Sequence, residues 1–138
     1  MNYIYNALLL SLLIFTTSVS AEDKRIAVDL GVEDRELFLS EMRTVLESIH
    51  DIVTALDKND MNAVAAAASQ SKSRIKKITE DLSKTLPSNF EVFSKSVQKG
   101  FMKIEESTQS DAGKDKVISL LGAQLGRCVT CHSIYKLK

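Results

Sequence analysis

Near the end of the chain, Cys128-Val129-Thr130-Cys131-His132 brings two thiols and an imidazole within five residues. The spacing C-x-x-C-H is the one that attaches a c-type haem. On a helix, Cys128 and His132 stand at i and i+4 and project from one face, with Cys131 one residue round the turn. Both thiols can then form thioethers along one haem edge, and the same geometry directs the imidazole at the iron. The expected cofactor is one covalent haem c, bound through Cys128 and Cys131, with His132 as an axial iron ligand.

Three other chemistries compete for these residues. A redox-active dithiol needs its thiolate stabilised by a helix N-terminus, but this pair lies towards the end of a helix, where the dipole disfavours an anion. A structural zinc site needs four ligands, and the only other histidine, His50, offers at most one more. A plain disulfide gives no role to the histidine that follows Cys131. His50, between Ile49 and Asp51, reads as a surface or hydrogen-bonded histidine rather than a ligand.

The elements that must position the motif are helical. Glycine and proline are scarce (5 and 1), and no stretch alternates as a strand does. The first helix is expected from about Asp34 to Leu56, with Phe38, Met42, Val45, Leu46, Ile49, Ile52, Val53 and Leu56 as an apolar stripe. Asn59 or Asp60 can cap a second helix, whose buried face carries Met61, Val64, Ala65, Ala68, Ile75, Ile78 and Leu82. Pro87 suits the opening of a third, followed by Phe90, Phe93, Val97, Phe101 and Ile104. After Gly113 a fourth helix carries Val117, Ile118, Leu121, Leu125, Cys128, His132 and Tyr135 on one face. Four amphipathic helices joined by short links predict an all-α, antiparallel four-helix bundle.

The run Ala7 to Phe15 is apolar and is followed by Val19-Ser20-Ala21, a small-residue cleavage site. Residues 1–21 therefore read as a signal peptide cut after Ala21, and residues 22–138 as one haem domain. The run is short for a bilayer span, so no integral span is expected in the mature protein, and export makes a periplasmic location the expectation. The 18 basic and 18 acidic residues all follow residue 21 and cancel. A neutral chain gives no support to nucleic acid as a partner, which needs clustered positive charge.

A haem motif at the extreme C-terminus of a four-helix chain resembles the cytochrome c-prime family. That family's motif continues to an aromatic and a basic residue, and CVTCHSIYK supplies Tyr135 and Lys136 there. The resemblance implies that the first helix presents a residue to the haem face opposite the histidine. With EMRTVLESIHDIVTALDKND laid on that helix, the distal position is Met42. Relatives with an apolar residue there are five-coordinate and bind small gases; relatives with methionine are six-coordinate and low-spin, and this chain looks like the second kind. Met61 and Met102 are weaker candidates for the same role. Where relatives often carry a propionate-binding arginine one turn before the distal residue, this chain has Phe38, leaving Arg35, Arg43 and Arg127 as substitutes. By the same resemblance Tyr135 packs against the haem edge or the bundle end. Lys136 stands in solvent unless the analogy extends to it, and the bundles commonly pair as homodimers.

The function expected is that of a one-electron carrier exchanging electrons with redox partner proteins. The alternative is a five-coordinate protein binding nitric oxide or carbon monoxide, with Met42 only filling the core. An enzyme is not expected, since His50 is not near the distal residue and no other acid-base pair suggests itself there.

Overall fold

The structure is a computed structural model and describes residues 22–110 and 113–138; the expected signal peptide lies outside the described residues. Four helices follow one another: α1 (Val32–Asp57), α2 (Met61–Asp81), α3 (Ser88–Ser107) and α4 (Gly113–Ile134). Two three-residue strands, β1 (Ile26–Val28) and β2 (Tyr135–Leu137), flank them. α1 packs along α2, α2 along α3 and α3 along α4, which is the expected all-α four-helix bundle. Among the described residues no helix is long and apolar enough to cross a membrane.

Local chemistry sets the helix ends. α1 stops in a Schellman arrangement: the Asp60 amide donates to Ala55 O at 2.9 Å and the Asn59 amide to Leu56 O at 3.2 Å, with Asn59 in the left-handed region at φ 56°. Asp60 then caps α2, its Oδ1 accepting from the Ala63 amide at 3.0 Å. Pro87 precedes α3 and its carbonyl accepts from the Phe90 amide at 2.8 Å.

Ile52, Val64, Ile78, Phe101, Ile104 and Val117 are fully buried at the centre. Side chains of this size contribute about 1.5 to 3 kcal/mol each on burial. The inner and outer arcs differ from the sequence pattern on α1 and α4. Leu46, Val53, Ile118 and Leu125 face outward, because each of these end helices packs extensively on one neighbouring helix and not on the other. Polar residues take part of the inner arc instead. Glu41 is buried on α1 and satisfied by Arg74 at 3.4 Å and Lys77 at 3.2 Å. Gln124 is fully buried on α4, its Nε2 donating to Val97 O at 3.2 Å and its Oε1 accepting from Arg127 at 3.3 Å.

Two short strands accompany the helices although no stretch of the sequence alternates as a strand does. β1 and β2 pair in parallel, Ile26 against Tyr135 and Val28 against Leu137, and the Lys138 amide donates to Val28 O at 3.1 Å. Segments this short carry no alternation to read. Their apolar side is a second small core in which Val28, Leu30 and Tyr135 pack with Phe93 and Leu137. Tyr135 therefore belongs to a strand and not to the face of α4.

Candidate functional site

α1 and α4 do not close on each other along their length, and both line a cavity of about 380 Å³. α1 contributes Phe38, Leu39, Met42 and Val45 to its wall, α3 contributes Phe90, Phe93 and Val97, and α4 contributes Cys128, Cys131 and His132. Ile75 of α2, Val28 of β1, Leu86 and Leu137 add to the apolar lining. The rings fix the shape of the wall: Phe38 meets Phe90 edge-on at 5.8 Å and Phe93 meets Tyr135 at 6.0 Å and 88°, both favourable edge-to-face geometries.

The cavity thus gathers Cys128, Cys131, His132 and Met42. The thioether of Met42 enters from α1, while both thiols and the imidazole come from α4. Neither of the other methionines in the described residues lines it: Met61 packs against the core at the start of α2 and Met102 is exposed on α3. His50 is on the surface, its Nδ1 3.4 Å from Asp51 Oδ1. Burial pushes the thiols of Cys128 and Cys131 above their ordinary pKa, and for Cys131 the neighbouring Cys128 adds to the effect. Both are half-buried, and this environment disfavours a reactive thiolate at either position in the chain without an attached group.

The basic residues at the cavity are not the three proposed from sequence. Arg43 lines a separate hollow with Glu33 and Glu36, and Arg127 donates to Ser96 Oγ at 3.2 Å on the α3 side. Neither these nor Arg35 reach the cavity wall, where Arg25 and Lys136 stand instead. Lys136 is also not a free solvent lysine, for its Nζ donates to the Asp23 backbone oxygen at 2.8 Å. Arg25 precedes β1, in a stretch with no helical period to mark it, so the only signal available was its type. The strand pair is what carries it to the site.

The donor set fits a thioether-attached haem. Two thiols and an imidazole lie on one helix end, a soft sulfur lies on another wall, the lining between them is mainly hydrocarbon, and the wall's charged side chains are both cations. Tyr135 lines the same space with its Oη buried and without a partner among the described residues. An orphaned buried hydroxyl in a cavity wall is what an acceptor on a bound group would satisfy. The fold and site together define an all-α four-helix bundle with an apolar cavity lined by its first and last helices. Compared with family models, curated proteins and solved structures, the chain matches none.

Proposed function

We propose that this protein is an exported c-type cytochrome, similar to the cytochrome c-prime family, that carries single electrons between redox partner proteins in the periplasm. Haem c would be held covalently by Cys128 and Cys131, with His132 and Met42 as the residues that would bind its iron, and would supply a ferric–ferrous couple. The observation that carries this reading is that the thiols and imidazole of CVTCH line the same apolar cavity as the Met42 thioether.

The chain's part is to hold and insulate. Cys128 and Cys131 anchor one edge, so that the bound group is not lost by dissociation. The edge-to-face pairs Phe38–Phe90 and Phe93–Tyr135 keep the wall rigid, which limits rearrangement when charge changes. The chain carries no formal net charge, so encounter with partners relies on local contact rather than long-range attraction. No substrate chemistry is needed, and the reading is not that of an enzyme.

A second reading has its own observation. Met42 also packs against the main core, and a methionine that only fills space would leave an open coordination position for nitric oxide or carbon monoxide. Optical spectra of the ferric and ferrous protein, before and after carbon monoxide, separate the two readings. A low-spin protein slow to bind the gas supports the carrier, and a high-spin protein that binds it at once supports the gas binder. Recovery of haem-free protein with a Cys128–Cys131 disulfide from an export host with attachment machinery would overturn both. A mature N-terminus at Glu22 by mass spectrometry is the result expected of signal cleavage.

A further inference from the structure

The cavity wall carries charge of one sign. Apart from the imidazole, Arg25 and Lys136 are the ionisable basic side chains among the described lining residues, and no carboxylate lines the wall. Both cations converge on a single acid beside it. Asp23 Oδ2 lies 2.7 Å from Arg25 Nη2 and 3.6 Å from Lys136 Nζ, so the two nitrogens stand close enough to hold one carboxylate between them. Arg25 Nε lies 2.9 Å from Asp23 Oδ1, which completes a bidentate fork. The guanidinium is held from behind as well, its Nη1 donating to the His132 backbone oxygen at 3.2 Å.

The remainder of the wall favours apolar matter, and an ionised group set against it would lose hydration without return. A ligand that bears both a broad apolar body and acid groups therefore has one edge of this cavity at which to present the acids. Tyr135, next to Lys136 in β2, adds to the same space a buried hydroxyl that has no partner among the described residues.

We infer that Arg25 and Lys136 form a carboxylate-recognition edge of the cavity, which binds the acid side chains of its ligand, with Asp23 as a carboxylate of the chain itself competing for the same two cations. The inference rests on the haem reading above, under which the carboxylates are the haem propionates. Arg25 has a double part: it contacts the acid and, through the His132 carbonyl, ties the N-terminal segment to the iron-binding turn.

The test uses the covalently loaded protein and the variants Arg25→Gln and Asp23→Asn. Resonance Raman spectra report hydrogen bonding to propionates through their bending band. Arg25→Gln should shift this band down, and Asp23→Asn, which frees both cations, should shift it up. The reduction potential supplies a second readout with opposite signs: loss of a cation near the iron lowers it, and loss of the competing anion raises it. A merely structural strap would move both variants in the same direction, because each detaches it. A propionate band unchanged in both variants, or potentials that shift the same way, overturns the inference while leaving the haem reading standing. Wild-type protein that emerges without covalent haem overturns the reading itself. Asp23→Asn keeps the test decisive if Arg25→Gln does not fold.

Discussion

Gly100 of α3 leaves the space that Gln124 of α4 occupies: a β-carbon on Gly100 would lie within 2.8 Å of Gln124 Cδ. Gln124 is fully buried and its amide donates to Val97 O, so it cannot swing away without leaving its own buried N–H without that partner. Gly100→Ala should gain up to about 1 kcal/mol of helix propensity and lose about 1 to 3 kcal/mol to overpacking and the broken bond. The expected outcome is a net loss of stability, seen as a lowered midpoint in urea. Because Gln124 stands one helical turn before Cys128, the proposed haem reading expects the same variant to disturb the haem spectrum as well.

Met42 separates ligation from packing when two substitutions are compared. Met42→Leu keeps the volume and should cost less than about 1.5 kcal/mol of stability. Met42→Ala opens space and should cost about 2 kcal/mol or more, towards the lower end of the core range because the side chain is only partly buried. Both remove the thioether. The carrier reading expects both to become at least partly high-spin and to bind carbon monoxide readily. Spectra unchanged in the Leu variant would show that sulfur contributes only packing.

The two thiols give a prediction for the haem-free chain. Burial raises the pKa of Cys128 and Cys131 above the ordinary 9.0, so the thiolate fraction at neutral pH falls below that of a free cysteine. Alkylation of the folded chain with iodoacetamide should be slower than of the same chain in denaturant, and should quicken as pH rises past the ordinary value. Equal rates in the folded and unfolded chains would show that the thiols are not shielded.

Asp23 ties the N-terminal segment down with a pH limit. The Arg25 side chain, and then its backbone amide, hold the Asp23 carboxyl far below its ordinary 3.8. A depressed acid contributes stability that is present above the unfolded pKa and is lost as pH falls through the folded one. The strap should therefore stay docked down to about the ordinary carboxylate range and loosen only in stronger acid. Amide exchange at Lys138, whose N–H is bonded to Val28 O, reports the docking. In Asp23→Asn the acid step should vanish, and an acid step of unchanged size there would assign it to another group.

Much of this architecture was legible in residue types. Asp60, Asn59 and Pro87 announced helix boundaries because capping and φ preferences are local, and the four-helix class followed from periodicity. CVTCH was legible for the same reason, since five adjacent residues carry its whole geometry. The arc assignments on α1 and α4 were less so. Leu46 and Leu125 fall on an apolar stripe, yet Glu41 and Gln124 are the residues turned inward, because an ion pair from α2 and a gap at Gly100 accommodate them. Those compensations are contributed by other helices and leave no trace in a stripe read along one. Arg25 and Lys136 were hidden in the same way, since a parallel strand pair between distant segments brings them to the cavity.

That strand pair also decides how the molecule meets mechanical force. β1 and β2 run parallel, so tension drawn on residue 22 and on residue 138 pulls the strands along their axes in opposite directions. The hydrogen bonds between them are then loaded together in shear rather than peeled one at a time. With the Arg25–His132 bond beside them, these bonds take up the pull before it reaches the helices. A tether attached at the two ends of the described chain would grip the turn that carries His132 first.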